Sequence, residues 1–395
     1  MNAYSNIQQA LISLGIDAWL LIDFRGSNSI AHEIIEMPKD MHCTRRWAVL
    51  IPAKGKVQTL VHAIEDFTLA HLDADHTIYA GHEGWKQGLQ SFIATCPNIA
   101  IEYSPMNAIP TASKVDAGTI ELLRSIGANI HSSADLLQMI AAVWTEEQLQ
   151  ENLAFTAPTL GAIMHETFDE IRFEISRNGL ANEYAIQQFV MKRFDDCGLM
   201  TYSPPIIARD VNAASPHYAP TSITNSDFGP DTIVLIDMWA CPKHGNGTYS
   251  DITWMCHTGN AMNEQQTSIF ETIIYARNAG ITLFQERHAN NQSVLGCEID
   301  DAVRSVIKHK GYGDFFVHRT GHSITTETHG PGANMDNYET IDTRTVIPMT
   351  SCSIEPGIYI PGIIGMRTEI DMVFLSDGTP IISGLAPQQD MIYVG

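Results

Sequence analysis

Positive charge is scarce in this sequence. Its 395 residues carry 23 lysines and arginines against 45 aspartates and glutamates, a formal net charge of −22 at pH 7. A surface of that sign repels phosphate backbones and anionic membranes, which excludes nucleic acid and membrane as partners of the bulk surface. No basic side chain precedes Arg25, and no apolar run is long enough to span a bilayer, so neither a secretory leader nor a membrane anchor is expected. Seven cysteines are scattered at positions 43, 96, 197, 241, 256, 297 and 352 without any C-x-x-C pair, which excludes a zinc knuckle and a disulfide framework. Low-complexity segments and short-period repeats are also missing. These absences point to a cytoplasmic protein in a reducing compartment.

What is present is an ordinary globular composition, with 44% hydrophobic and 17% charged residues. The length predicts two compact units of unequal size. Residues 4–14 have the spacing of an amphipathic helix, and AWLLI, WAVLIPA, VQTLVHAI and NIAIEY read as buried strands. Helical segments around 64–72, 85–95 and 117–125 lie between them, so a small α/β domain is expected over residues 1–144. A second domain, 145–395, opens at Thr145, where Thr145 and Gln148 form a capping-box pattern before a long helix that Pro158 should kink. Further helices are expected near 183–195, 264–288 and 298–310. Strands are expected in PIIAR, TIVLIDMW, YSDITWMCH, DFFVHR, CSIEPGIYI and GMRTEIDMVFL, giving the second domain an α+β character.

Four of those strands carry a carboxylate in an apolar setting: Asp237 in VLIDMW, Asp251 in YSDITW, Glu355 in SIEPG and Glu369 in RTEIDMVF. One such acid reads as a solvated strand end or a salt-bridged core residue. Four together, unneutralised, would destabilise the fold, because each buried carboxylate costs several kcal/mol unless a cation or hydrogen bonds compensate it. Both pairs are 14 residues apart (251 − 237 and 369 − 355), which suits two similar hairpins facing one cleft. With an imidazole from His322, in HRTGHSITTETHGPG, four hard oxygen ligands suit two divalent cations. His318 reads as structural, His244 and His257 as rim or surface residues, and Cys256 and Cys352 as small packed hydrophobes rather than nucleophiles.

The segments VLIDMW, YSDIT, HRTGHSI, SIEPGIY and GMRTEID together resemble the pita-bread metallopeptidase family, which includes methionine aminopeptidase, aminopeptidase P, prolidase and creatinase. The resemblance covers the second domain almost completely, and the first domain is similar to the smaller creatinase-like N-terminal domain of the prolidase, aminopeptidase P and creatinase branch. It implies Asp237, Asp251, His322, Glu355 and Glu369 as ligands of two metal ions, manganese first with cobalt, zinc or iron as alternatives, and Asp251 and Glu369 as bridging ligands. It implies His217 and His329 as catalytic and substrate-binding histidines, and Arg367 as the arginine that orients the site or reaches the substrate carboxylate. Glu355 is then the general base and acid as well as a ligand.

The activity implied is hydrolysis of short, proline-containing peptides at an Xaa-Pro bond, by a homodimer formed through the first domain. A bond to proline has no N–H, so a site acting on the carbonyl suits it. A creatinase-like or organophosphorus-hydrolysing relative and a peptide-binding module without catalysis stand as alternatives. Three positions depart from the family pattern. The loop MWACPKHGNGTYS is a few residues longer than usual, G-H-G-I-G is here GHSIT, and Gly330 replaces the acidic residue that commonly follows the second histidine.

Overall fold

The computed structural model describes residues 4–395; residues 1–3, the start of the expected first domain, lie outside the described residues. Contacts divide the chain into Met1–Ile140 and Ala141–Gly395. The division falls four residues before the expected join, because Trp144 is tied to the second unit: its backbone N donates to Met349 O at 2.6 Å and its indole to Ile324 O at 2.9 Å.

In the first unit helix α1 (Ser5–Leu14) precedes strand β1 (Ala18–Asp23), and a short helix α2 (Ser29–Ile34) leads to β2 (Trp47–Pro52) and β3 (Val57–His62). Then come β4 (Ala74–Tyr79), α3 (Gly81–Thr95), β5 (Asn98–Ile101), α4 (Ala117–Ser125) and β6 (Asn129–Ser132). The strands form one sheet in the order β4-β3-β2-β1-β5-β6. β1 and β2 are buried along their whole length, as continuous apolar runs require when both faces are covered. β4 and β6 were not expected, since they are edge strands with polar, largely exposed residues and are held by parallel pairing to β3 and β5.

The helix expected at 64–72 does not form. That segment is a chain of i→i+3 turns, Glu65 N to His62 O, Thr68 N to Glu65 O and Leu72 N to Leu69 O. The Glu65 carboxylate is held by the backbone N–H groups of Thr44 and Arg45. A side chain drawn across to another segment in this way fixes the turn against helical continuation.

The second unit starts with the expected capping box, in which Thr145 Oγ1 accepts from Gln148 N and Gln148 Oε1 accepts from Thr145 N. The Pro158 kink takes the form of a widened π-type turn over Asn152–Thr156, after which helix α5 (Ala157–Asn178) carries Pro158 in its first turn, where the missing N–H costs nothing. Helix α6 (Glu183–Asp196) follows, then strands β7 (Ile206–Arg209), β8 (Ile233–Pro242) and β9 (Ser250–His257), with β8 paired antiparallel to both others. Helices α7 (Glu264–Ala289) and α8 (Gly296–His309) lead to β10 (Ser351–Ile354), β11 (Gly357–Ile360), β12 (Ile364–Arg367) and β13 (Ile370–Phe374).

DFFVHR is not a strand. It makes one 3₁₀ turn, Gly313–Phe315, and then runs irregularly, because Arg304 of α8 donates to the carbonyls of Phe316 (2.9 Å) and His318 (2.7 Å) and so occupies the acceptors a strand partner would need. The two expected carboxylate strands SIEPG and RTEIDM are each broken at the acid, Glu355–Pro356 and Thr368–Glu369.

Alternation along β8 and β9 sets the layers. Val234, Ile236, Met238, Ile252, Trp254 and Cys256 pack on Leu160, Phe168, Val190 and Phe194 of α5 and α6. The odd-numbered residues take the other face, where Ile233, Leu235 and Met255 join a core with α7, α8 and the later strands. Asp237 and Asp251 are on that second face.

Candidate functional site

The two acid pairs share a spacing but differ in geometry. In the β8–β9 hairpin Asp237 stands opposite Thr253 and Asp251 opposite Trp239, so the two carboxylates are diagonal neighbours on one face. In the later hairpin the register pairs Ile354 with Ile370 and Gly357 with Arg367, which sets Glu355 directly across from Glu369 at the break. The break is held by other bonds: Glu355 N donates to Thr320 O at 2.7 Å, and Glu369 N donates to Thr253 O at 2.9 Å, which brings the second hairpin against β9. His322 is fixed by mutual bonds with Ser353, its N to Ser353 Oγ at 3.0 Å and Ser353 N to its carbonyl at 2.9 Å.

The structure brings all five sequence-derived ligand candidates to one cavity of about 530 Å³, together with His217, His329 and Arg367. Ligating atoms of Asp251, His322 and Glu369 lie within 4.8 Å of one another. His322 Nε2 is 3.4 Å from Glu355 Oε1 and 3.8 Å from Asp251 Oδ2. Its Nδ1 is 3.3 Å from the Ser323 carbonyl, which only accepts, so Nδ1 carries the hydrogen and the Nε2 lone pair faces the carboxylates. A lone pair turned toward carboxylates is repulsive unless a metal ion or a proton lies between them. Asp237 Oδ1 and Asp251 Oδ1 are buried without a hydrogen-bond partner, which is the same signature.

Electrostatics agree. Burial lifts Asp251 well above the ordinary carboxylate range, and the charges of Asp237, Asp371 and Glu355 add to it while Arg367 opposes. Glu369 is raised for the same reasons. Burial raises Glu355 to about 7, against the pull of Arg367. Burial pushes His322 well down, which favours the neutral imidazole. Five acids to two guanidiniums, those of Arg319 and Arg367, line the cavity, and hard oxygen donors with the neutral His322 imidazole fit divalent metal ions.

Arg367 is almost fully buried and committed: it forms an ion pair with Asp237 Oδ2 and donates to Tyr359 Oη (3.1 Å) and Thr253 Oγ1 (3.2 Å). Tyr359 in turn bonds His318 Nε2 at 2.8 Å, and His318 Nδ1 is 2.7 Å from the Arg319 carbonyl. His318 Nδ1 therefore holds the hydrogen, and the Tyr359 hydroxyl donates to Nε2 while its oxygen accepts from Arg367. His318 lines the cavity and fixes this relay. Burial first, then Arg367, pushes its pKa down to about 3. His329 stands at the exposed rim with its ring 4.3 Å from that of His322, and desolvation, with Arg319 and His217, pushes it down to about 4.

His244 is outside the cavity, bonded to Glu151 Oε1 at 2.6 Å. His257 is buried rather than at the rim, because its Nδ1 accepts from Gly259 N at 2.9 Å and closes the turn after β9. Cys256 and Cys352 are fully buried, and burial raises both thiols, which leaves them inert packing groups.

Sequence reasoning passed over Asp371, although the same signal was available in IDMVF. It is 2% exposed, and its Oδ2 accepts from Asp251 N at 2.9 Å, holding the start of β9. Thr253, whose hydroxyl donates to Glu369 Oε2 at 2.7 Å, and Ser353 gave no local signal. Arg319, Tyr202 and Trp239 also line the cavity.

The departures GHSIT and Gly330 compensate each other. A Cβ at Gly330 would meet Thr325 Cγ2 at 2.7 Å, and one at Gly332 would meet Ser323 Oγ at 2.5 Å. Side chains at 323 and 325, where the family pattern has glycine, thus occupy room left by glycines at 330 and 332.

The chain is 33% identical over 215 residues to the Xaa-Pro dipeptidase of Lactobacillus helveticus, covering 53% of this chain and 52% of that protein. The chain thus spans about half the length of the curated relatives it matches. The solved structure of dipeptidase PepE from Mycobacterium ulcerans superposes with a TM-score of 0.66 at 17% identity, over 99% of this chain and 96% of that one. The Xaa-Pro dipeptidase from Bacillus anthracis superposes with a TM-score of 0.60 at 20% identity, over 99% of both chains. These likenesses show the pita-bread fold with its smaller N-terminal domain. Residues 158–375, more than half of the chain and every ligand candidate among them, match the profile of metallopeptidase family M24, and the chain belongs to that family.

Proposed function

We propose that this protein hydrolyses short peptides at an Xaa-Pro bond with two divalent metal ions, held by Asp237, Asp251, His322, Glu355 and Glu369. The observation that carries the reading is the convergence of four acids and the His322 Nε2 lone pair in one cavity, with two buried carboxylate oxygens left without partners. The Xaa-Pro dipeptidase names of the relatives support the substrate class. When bound, such ions supply a Lewis acid for the scissile carbonyl and bring the pKa of water toward neutrality. Four carboxylates to one imidazole favour manganese among the candidates.

Within that site Glu355 is the proton carrier. Its carboxylate accepts a proton from the attacking water and returns it to the leaving nitrogen. His329 and His217 are the hydrogen-bond donors to the substrate and its developing oxyanion. Arg367 orients Asp237 through its ion pair and is itself held by Tyr359 and His318. With Arg367 so engaged, Arg319 is the cavity-lining cation free to meet a substrate carboxylate. No carboxylate of the described residues forms an ion pair with it, and its charge is felt at Glu355, His322 and His329. That arrangement supports a dipeptide. Tyr202 and Trp239, with ring centroids 6.0 Å apart, supply an apolar wall for a proline ring.

A homodimer built through the first unit and a cytoplasmic location complete the proposal. The seven free cysteines support a reducing compartment, and none of the described helices is long and apolar enough to cross a membrane. Light scattering at micromolar concentration tests the dimer, and a monomeric mass refutes it. The activity is tested by a release assay on apoprotein resupplied with manganese, cobalt or zinc, comparing Xaa-Pro dipeptides, Xaa-Pro-Xaa tripeptides and creatine. Release from the dipeptide, fastest with manganese, is expected. Creatine turnover, or no turnover by metal-loaded protein, would overturn the reading.

A further inference from the structure

The first unit holds a cavity of its own, about 900 Å³, at one end of its six-stranded sheet. Strand directions explain the position. β1, β3, β4, β5 and β6 run one way and β2 alone runs against them, so five strand C-termini meet at one edge. From β1 the chain moves outward through β2, β3 and β4, then crosses back to lay β5 on the other side of β1. The end of β1 is therefore where the strand order reverses, and open sheets of this kind bind ligands outside the carboxyl ends of their strands at such a point. Ile22 and Phe24 at the end of β1, His62 at the end of β3 and Tyr79 at the end of β4 all line the cavity.

Charge is the second, independent observation. In a chain of net charge −22, Arg45, Arg46 and Lys114 gather around this one cavity. None of the three forms an ion pair with any described carboxylate. The Arg46 guanidinium lies 5.1 Å over the Trp85 ring, and Arg45 Nη1 donates to Thr44 Oγ1 at 2.7 Å, so both are held by uncharged groups. Against three cations the wall offers one carboxylate, Asp116. Its oxygens are already engaged, accepting from Thr119 N at 3.0 Å and Thr119 Oγ1 at 2.6 Å as the cap of α4. The excess is about two positive charges, to which the positive end of α4 adds.

We propose that the first unit binds a phosphorylated organic small molecule in this cavity, with its phosphate on Arg45, Arg46 and Lys114 and its organic body against Phe24 and Tyr79. A phosphate monoester carries roughly −1.5 to −2 at pH 7 and three acceptor oxygens, which balances the excess, whereas a monocarboxylate leaves one cation unneutralised. Guanidinium forks bind phosphate oxygens in pairs, and lysine adds a point charge. Phe24 is 47% exposed, which leaves a ring face open to the organic part of the ligand. The proposal stands independently of the peptidase reading, because every residue it uses belongs to the first unit.

The test is calorimetric titration of the full, metal-loaded chain with phenyl phosphate, inorganic phosphate and phenylacetate. Phenyl phosphate is expected to bind at least about tenfold more tightly than either of the others, and more weakly as salt is raised. The R45Q/K114Q variant should weaken phenyl phosphate binding at least about tenfold with unchanged melting temperature and peptidase turnover, while R45K/K114R keeps the affinity within about threefold. Retained binding in R45Q/K114Q would place the phosphate elsewhere in the molecule and overturn the proposal. So would equal affinity for phenylacetate or inorganic phosphate, or no heat at millimolar phenyl phosphate.

Discussion

Alanine at Gly330 should destabilise the protein, and glycine at Thr325 should abolish that effect. A Cβ at 330 lies 2.7 Å from Thr325 Cγ2, 2.9 Å from Thr325 Oγ1 and 3.1 Å from Ser323 Oγ, the first two closer than real side chains approach. Thr325 cannot swing away freely, since it is 5% exposed and its hydroxyl accepts from Glu327 N at 3.1 Å. Forcing one methyl into such a site costs about 1–3 kcal/mol, from which stiffening of the unfolded chain by Gly→Ala returns about 0.4–1 kcal/mol. The net loss is about 1–2 kcal/mol, or roughly 2–8 °C in melting temperature for a unit of this size. In a Thr325→Gly background the clash with Thr325 is gone and Gly330→Ala should be neutral or slightly stabilising. Denaturant unfolding of wild type, both single variants and the double variant closes the cycle. Effects that add to within about 0.5 kcal/mol, or a neutral Gly330→Ala in wild type, would refute the volume exchange between positions 325 and 330.

Four predictions concern the cavity. Chelation should lower the melting temperature at pH 8 more than at pH 5: Glu355 is raised to about 7, so the apoprotein's contribution from this group is full below about 4.5 and lost as pH rises through 7. A chelation effect independent of pH would contradict the buried acid cluster. His329→Ala should lower kcat by about 10²–10³ with unchanged metal content by elemental analysis, and near-full turnover would remove it from catalysis. Glu355→Gln should abolish turnover and loosen metal, whereas Glu369→Ala should release metal outright; retained metal in Glu369→Ala would refute its place as a ligand. Arg319→Gln should raise KM for an Xaa-Pro dipeptide but not for its C-terminal amide, with kcat little changed. An equal effect on both substrates would show that the guanidinium does not meet the carboxylate.

The sequence by itself marked out the acids that meet in the second unit's cavity. Acids in apolar strands announce themselves because so few residues can be buried charged without compensation, and VLIDMW and YSDIT keep their strand period around the acid. Strong local signals also held, among them the capping box at Thr145 and the buried runs of β1 and β2. What only the tertiary structure decided depends on distant partners. DFFVHR has strand composition, but Arg304 takes its carbonyls; residues 64–72 have helical spacing, but Glu65 is tied to Thr44 and Arg45. The equal 14-residue spacings conceal a diagonal pair in one hairpin and a directly opposed pair in the other, a matter of register that spacing cannot express. Arg367 was visible as a residue near Glu369, but only its contacts with Asp237, 130 residues away, and with Tyr359 across the hairpin show that its guanidinium is already engaged, since such commitments are settled by the fold.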